Sequence, residues 1–161
     1  MTTPPTQPTD LANLHRLLVG SWQLVEWTSV LDDGAPLSPF GFDAVGRLTY
    51  TEDGRVWAAL MRRKRPEADA TTLAATSPEL RAEIAAGYVS YSGTWRLEHD
   101  EDGAATVVHA VDMSLFPNWV GHELRRSVEL SGGDLILRTR AQATRTDRRV
   151  ANTLRWSRLR R

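Results

Sequence analysis

Apolar and polar residues alternate along most of this chain, in runs that end at turn-forming residues. Asp32-Asp33-Gly34 ends one run, and Asp53-Gly54 separates two others. Alternation with a period of two is typical of strands with one buried face, and an Asp-Gly pair between such runs is typical of a hairpin. The pattern predicts eight main strands: residues 21–31, 47–52, 55–62, 88–98, 105–113, 120–130, 135–141 and 149–159.

Two segments break this alternation and predict short helices. Asp10 is a suitable N-cap for residues 11–18, where leucines recur along one stripe of a helix. Farther on, Ser77 and Pro78 have the order of an N-cap followed by proline at the first helical position. They predict a helix over residues 78–86, inserted between strands as a lid or a side flap.

Short turns join nearly all the predicted strands, and no helix of crossover length lies between successive strands except that insertion. Neighbouring strands should therefore run antiparallel in chain order. Eight strands are about the number that closes into a barrel able to hold one small ligand. We expect an all-β fold: an eight-stranded antiparallel up-and-down barrel with a short N-terminal helix and the helical insertion near residues 78–86.

Composition narrows the class of protein. The 161 residues fit one domain, predicted over residues 11–161 after a disordered tail of residues 1–10 that contains three prolines. There is no cysteine, which excludes disulfides, thiolate metal sites and a cysteine nucleophile. The start of the chain lacks the charged and apolar regions of a signal peptide, and no run is long enough for a membrane helix. We expect a cytoplasmic protein without a membrane partner.

Charge argues against a nucleic-acid partner. The 20 basic and 20 acidic residues balance, so the chain lacks the overall positive field that draws proteins to nucleic acid. Residues 138–161 nevertheless hold nine arginines against the single acid Asp147. They could form a phosphate-binding face, but arginine is almost the only cation that this chain uses, since Lys64 is its one lysine. We interpret these arginines as a solvated strand face.

Gly20-Ser21-Trp22, directly after the predicted N-terminal helix, resembles the Gly-x-Trp entry of lipocalins. The wider pattern is similar to the lipocalin-like domain family of bacteria and fungi over residues 18–156. The matching segments are LVGSWQLVEW (18–27), GRLTYTEDGRVWAAL (46–60), YVSYSGTW (88–95) and VVHAVDMSLFPNWVGHELRR (107–126). The resemblance implies a calycin-type barrel, closed at one end, around an apolar cavity. It also implies that an arginine of the last strand, Arg158 or Arg155, stacks on Trp22 at the closed end.

Residues two apart on a strand share a face, so the parity of each run predicts which side chains line the barrel. Counting from Trp22 and Leu24 places Glu26 inside as well. Trp119 follows a Pro-Asn pair at a turn, where it would flank the cavity mouth or plug it. A mainly apolar pocket with a few polar groups is typical of small-molecule sites. The predicted ligand-binding residues are Tyr50, Tyr91, Trp95, His109, Val111, Met113, Trp119, His122, Leu124, Arg126 and Trp156.

His109 is the first candidate for chemistry, with Tyr50 and Arg126 as the other candidate catalytic residues. A histidine between valines on an inward face should be largely neutral and could accept, donate or move a proton. It could equally be a core histidine that is hydrogen-bonded to Tyr50, Tyr91 or Asn152 and never contacts a ligand.

Arg126 raises a separate question, because a guanidinium among leucine and valine requires a partner. Glu26 could supply a structural ion pair. Alternatively, an acidic group of a bound ligand could pair with Arg126. The sequence leaves both open.

Two functions fit these residues. The first is a cytoplasmic barrel that binds an apolar or amphipathic small molecule, such as an intermediate of secondary metabolism. The alternative is a cyclase or isomerase of natural-product biosynthesis, in which His109 with Tyr50 or Tyr91 moves a proton and Arg126 stabilises negative charge. Because the chain has no metal-ligand spacing, phosphate loop or serine-hydrolase elbow, we expect no metal and no cofactor. A third possibility is a dimeric interaction domain, a homodimer with a filled barrel and no cavity.

Overall fold

Each alternating run of the sequence folds as a strand in the computed structural model, which describes residues 9–143 and 149–159. Residues 1–8, most of the predicted tail, lie outside that part of the chain. The elements are α1 (Leu11–Leu18), β1 (Gly20–Leu31), β2 (Pro36–Leu37), β3 (Val45–Tyr50), β4 (Arg55–Met61), α2 (Pro78–Ala86), β5 (Tyr88–His99), β6 (Ala105–Ser114), β7 (Glu123–Ser131), β8 (Asp134–Arg138), β9 (Gln142–Ala143) and β10 (Arg149–Arg158).

The strands form one antiparallel sheet that closes on itself. β1 pairs with β3, each following long strand pairs with the next as far as β8, and β8 pairs with β10. The sheet closes because β1 also pairs with β10, from Trp22 opposite Arg158 to Leu31 opposite Val150. The short strands β2 and β9 extend β1 and β10. The predicted eight-stranded up-and-down barrel is therefore confirmed, with β1, β3 to β8 and β10 as its strands.

Helix α1 covers one end of the barrel. The Asp10 carboxylate accepts a hydrogen bond from the Ala12 backbone at 3.0 Å, which caps the helix as its sequence predicts. Leu14 and Leu18 are buried against the strands. The ring of His15 stacks on Trp95 with 4.4 Å between centroids. The end of the barrel that α1 covers is therefore its closed end.

Trp22 and Arg158 tie the first and last strands together at the closed end. The Trp22 indole is buried and donates to the Leu18 carbonyl at 2.9 Å. The Arg158 guanidinium carbon lies 4.2 Å from the centre of the Trp22 ring. Its nitrogens donate to the Val19 and Leu17 carbonyls, which satisfies carbonyl groups at the end of α1. Of the two arginines that the resemblance allowed, Arg158 occupies this position.

Helix α2 lies beside the barrel, and its predicted bounds are confirmed. The Ser77 hydroxyl caps it by accepting from the Leu80 backbone at 3.3 Å. None of its side chains is buried. Arg65 connects the insertion to the barrel, because its guanidinium donates to the Ile84 carbonyl at 3.0 Å and lies 5.3 Å from the centre of the Tyr88 ring. The insertion is therefore a side flap, and Arg65 is one of its links to the barrel.

The hydrophobic core lies inside the barrel, on the inward parity of every long strand. The buried core side chains within the barrel include Trp22, Leu48, Tyr50, Val56, Ala58, Leu60, Tyr91, Trp95, Val107, Val111, Leu135, Leu137, Leu154 and Trp156.

No helix within residues 9–143 and 149–159 is long and apolar enough to cross a membrane.

Candidate functional site

Three polar side chains meet inside the barrel in a chain of hydrogen bonds that we name the Tyr–His–Tyr bridge. His109 stands at its centre and is fully buried. Its Nε2 lies 2.8 Å from the Tyr50 hydroxyl, and its Nδ1 lies 2.8 Å from the Tyr91 hydroxyl. Both ring nitrogens are therefore satisfied, as buried polar groups require.

The sheet register brings these residues together from three strands. His109 on β6 lies opposite Trp95 on β5 and Leu124 on β7, and all three point inward. Tyr50 ends β3 near the closed end, while Tyr91 lies near the start of β5. Neighbouring strands run antiparallel. The end of β3 and the first part of β5 therefore lie at nearly the same height in the barrel, and Tyr50 and Tyr91 both reach His109.

Burial keeps the bridge neutral. It lowers the pKa of His109 well below the usual range, and the nearby Arg126 guanidinium lowers it further. It raises the pKa of Tyr50 well above the ordinary value; Tyr91 adds to that rise and Arg126 opposes it. It also raises the pKa of Tyr91, against an opposing effect of Arg126. The imidazole and both phenols therefore keep their uncharged forms at neutral pH.

A neutral buried histidine has a consequence for acid stability. The unfolded chain binds a proton on this histidine below about pH 6.5, whereas the folded chain does not. The free energy of unfolding therefore carries no penalty from His109 above that pH, and it falls as the pH drops below it. We expect His109 to remove about 1.4 kcal/mol from the free energy of unfolding between about pH 7.5 and about pH 5.5.

Urea titrations of the unaltered protein and His109→Gln at both pH values measure this effect. The other histidines are present in both proteins, so the difference between their pH dependences reports His109. We expect the variant to lose about 1.4 kcal/mol less on acidification. Equal losses in the two proteins would contradict a neutral His109.

Arg126 carries a formal charge beside the bridge. It follows the parity of Leu124 on β7 and lies opposite Val107, so it projects inward. Its guanidinium carbon is 5.8 Å from the centre of the Tyr91 ring. Its Nη1 is buried and has no hydrogen-bond partner within residues 9–143 and 149–159. The side chain as a whole is only half-buried, so the interior around it is not completely filled.

Several inward side chains share this half-buried state, and we name them the inner lining. Their exposure indicates space inside the barrel, mostly toward the end away from α1. Trp156 adds another donor to the interior, because its indole nitrogen is buried without a partner in the described part of the chain. The inner lining comprises Leu24, Trp27, Val89, Leu124, Arg126 and Asn152.

Two other concavities lie on the outer surface. One, of about 590 Å³, runs over β5 to β8 and is lined mainly by charged residues such as Glu98, Arg125 and Arg138. The second, of about 430 Å³, covers β3 to β5 and includes Trp57 and Met113. Most of the side chains around both have outward parity on the sheet, although Arg126 of the inner lining also borders the first and Tyr91 the second.

Glu26 does not pair with Arg126, and its expected inward orientation is wrong. The register of β1 against β10 shifts between Leu24 and Glu26, which is a β-bulge. Beyond the bulge the parity reverses, so Glu26 faces outward and its carboxylate lies 3.8 Å from Arg155 Nε. The bulge leaves Arg126 without the protein counterion that the sequence allowed.

The same bulge turns residues inward that parity counting missed. Trp27 and Ser29 take inward positions opposite Leu154 and Asn152. The Asn152 side-chain oxygen accepts from Trp27 Nε1 at 3.0 Å and from the Ser29 hydroxyl at 2.6 Å. The only hint in the sequence is that Trp27 is large and apolar where an outward residue was expected.

Met113 and His122 were also expected inside, and both orientations are wrong. The pairing of β5 with β6 shifts at Ser92 and Gly93, so Met113 lies opposite Ser92 on the outer face and is 63% exposed. His122 precedes β7 and is exposed. Strand β7 begins at Glu123, later than the predicted strand of residues 120–130, and inward parity therefore starts only at Leu124.

The remaining predicted site residues fall into two groups. The first group consists of buried core residues: Val111, Trp95 and Trp156. Trp95 lies at the closed end, where its indole donates to the Thr51 carbonyl at 3.1 Å. Trp119 is half-buried and meets Tyr91 edge to face with 5.8 Å between ring centroids. It therefore flanks the interior beside Tyr91. No ligand contact tests any of these residues, and their binding role stays a prediction.

The C-terminal arginines do not share one role. Arg138 donates to Glu129 at 2.7 Å and Arg155 to Asp134 at 2.9 Å, while Arg158 serves the closed end. Four of the nine arginines, at positions 145, 148, 160 and 161, lie outside the described residues. Within the described ranges, no three histidine, aspartate or glutamate side chains come together as a metal site requires.

Comparison with known proteins adds a family and one named relative. Residues 19–159 match the model of a family described as the lipocalin-like domain. The chain is also similar to the 4'-hydroxy-3'-methoxypropiophenone carrier protein of Aspergillus oryzae, with 31% identity over an 85-residue alignment that covers 51% of this chain and 77% of that protein. No solved structure matches the chain.

Proposed function

This chain belongs to the lipocalin-like domain family, and we propose that its barrel binds one apolar or amphipathic small molecule inside and releases it unchanged. The observation that carries the proposal is the inner lining, a set of half-buried aromatic and aliphatic side chains beside unpaired polar donors. Pockets of that composition are typical of small-molecule sites.

The named relative supports a ligand of this kind. Its name describes a carrier of 4'-hydroxy-3'-methoxypropiophenone, an aromatic ketone. Such a ring would contact Leu124, Val89 and Trp27 through its faces, and its oxygens would meet the donors near Arg126. We extend to this chain the class of ligand, a small aromatic molecule with a few polar oxygens, and propose that it acts in the cytoplasm as a metabolite carrier.

The arrangement of His109 favours a carrier over a cyclase or isomerase. Both of its ring nitrogens are already bonded to tyrosine hydroxyls. A general base must reach the proton that it abstracts, directly or through one intermediary. Here a bound molecule would meet the imidazole only through Tyr50 or Tyr91, whose raised pKa values keep both hydroxyls protonated and so disfavour a proton relay through them.

A substitution that fills the interior tests the proposal. Leu124→Trp adds an indole to the inner lining, next to His109 on the neighbouring strand. We expect it to weaken uptake of the neutral apolar dye phenylnaphthylamine by about tenfold or more, because the indole takes the space that the dye would fill. Dye fluorescence during titration measures the affinity.

Leu73→Trp is the matched control for this experiment. Leu73 is 58% exposed and lies in the insertion outside the barrel, so the same change there should leave dye affinity unaltered. Absence of dye uptake by the unaltered protein would overturn the proposed function. An equal loss in both variants would place the dye outside the barrel and would overturn it as well.

A further inference from the structure

The Tyr–His–Tyr bridge holds one hydrogen more than its own hydrogen bonds use. A neutral imidazole has one N–H and one acceptor nitrogen, and each tyrosine has one O–H. In the bridge, one tyrosine donates to the acceptor nitrogen and the other accepts from the N–H. The accepting tyrosine keeps its own O–H, and neither hydroxyl has another partner in the described chain. One buried donor is therefore left over.

Arg126 supplies further unused donors at the same place. Its guanidinium lies 5.8 Å from the Tyr91 ring centre, and its buried Nη1 has no acceptor within the described residues. The uncharged bridge offers it no counterion, and Glu26 is turned to the outer surface. A buried donor or charge without a partner is costly. An acceptor would satisfy these donors, and the charge of the guanidinium favours an acceptor that is negatively charged.

We infer that the ligand of this barrel carries an oxyanion, a carboxylate or an acidic phenol, which accepts hydrogen bonds from the Arg126 guanidinium and the Tyr91 hydroxyl. This inference rests on the proposed function and adds the chemical class of the ligand to it. The aromatic or aliphatic body of the ligand lies against the inner lining.

Occupation of this site also fixes the tautomer of His109. Once Tyr91 donates its O–H to the ligand, its oxygen can interact with His109 only as an acceptor. The proton of the imidazole must then be on Nδ1, and Tyr50 must donate to Nε2. Each tyrosine retains one proton and the imidazole remains neutral, so the ligand selects an arrangement of hydrogen bonds without changing the charge of the bridge.

A pair of ligands that differ only in charge tests the oxyanion. Cinnamate and cinnamamide have the same shape, but only cinnamate is an anion at neutral pH. We expect the unaltered protein to bind cinnamate more tightly by about tenfold to a hundredfold, as for a charge-assisted hydrogen bond in a partly buried site. Isothermal titration calorimetry gives both affinities.

Arg126→Met and Arg125→Met form a matched pair of variants. Methionine keeps the apolar length of the side chain and removes the guanidinium. Arg125 is the neighbouring residue, but it points outward and is paired with Glu98 and Glu123. The preference for cinnamate should disappear in Arg126→Met and persist in Arg125→Met. Loss of the preference in both variants would make it an effect of overall charge and would overturn the inference.

Nitrogen NMR of His109 gives a second readout that needs no variant. With cinnamate bound, the spectrum should show a protonated Nδ1 and an unprotonated Nε2. A protonated Nε2 in the complex would show that Tyr91 does not donate to the ligand, which overturns the assignment.

Dye uptake separates a failure of this inference from a failure of the proposed function. If the protein takes up phenylnaphthylamine but binds cinnamate no better than cinnamamide, or binds neither, the interior accepts ligands and the oxyanion is wrong. If the dye does not bind either, the binding function fails and the inference fails with it.

Discussion

Gly93→Ala is expected to lower the free energy of unfolding by at least about 3 kcal/mol, because β5 and β6 approach too closely there for a methyl group. A Cβ at this position would overlap the Ala110 carbonyl oxygen and lie 2.9 Å from the Ala110 carbonyl carbon and 3.0 Å from Val111 Cα. These are backbone atoms of the paired strand, so no rotamer change relieves the overlap. Urea unfolding of the purified variant measures the loss, and failure to fold is its limit.

Gly87→Ala is the control for that substitution. Gly87 has φ −97°, and a Cβ there would meet only the flexible side chains of Arg65 and Arg62, at 3.4 Å and 3.5 Å. We expect Gly87→Ala to change the free energy of unfolding by less than about 1 kcal/mol. If Gly93→Ala were as mild as Gly87→Ala, the close approach of β5 and β6 at this point would be incorrect.

Trp22→Ala is expected to cost about 3 to 5 kcal/mol, the range for truncating a large buried aromatic residue. The substitution leaves a cavity at the closed end and removes three interactions together. It takes away core packing, the bond from the indole to the Leu18 carbonyl, and the surface on which Arg158 lies. Thermal and urea unfolding measure the loss, and far-ultraviolet circular dichroism reports whether the helical content is retained.

Trp57→Ala controls for the general effect of removing an indole. Trp57 is 48% exposed on the outer face of β4, so its truncation should cost less than about 1.5 kcal/mol. Equal costs for the two tryptophans would contradict the position of Trp22 as the packing centre of the closed end.

Gly93→Ala and Trp22→Ala are expected to change stability, whereas substitutions at Arg126 and Leu124 are expected to change binding. Trp22 and Gly93 act on the closed end and on strand spacing, whereas Arg126 and Leu124 belong to the inner lining. A variant at the closed end that still folds should retain its preference for cinnamate over cinnamamide. The barrel scaffold and the proposed ligand site would then be distinguishable in a single series of variants.

Local signals in the sequence determined the elements and their order. The Asp10 and Ser77 caps fix where α1 and α2 begin, and Asp-Gly turns separate neighbouring strands. Such signals act within a few residues, so they are readable without knowledge of the fold. Alternation between these turns then identifies eight strands, and short connections make their order sequential. The fold and the burial of His109 follow from that much.

Which side chains meet inside the barrel became clear from the folded chain and not from the sequence. A β-bulge adds one residue to a strand and reverses every later orientation, and the alternation of β1 marks it only by the apolar Trp27 at an expected outward position. One such shift turned Glu26 out and Trp27 in, and another turned Met113 out. Which side chains face one another across strands depends on the register, and a bulge shifts that register locally. For that reason the sequence left the partner of Arg126 open, whereas the folded barrel removes Glu26 and leaves the guanidinium facing the Tyr–His–Tyr bridge.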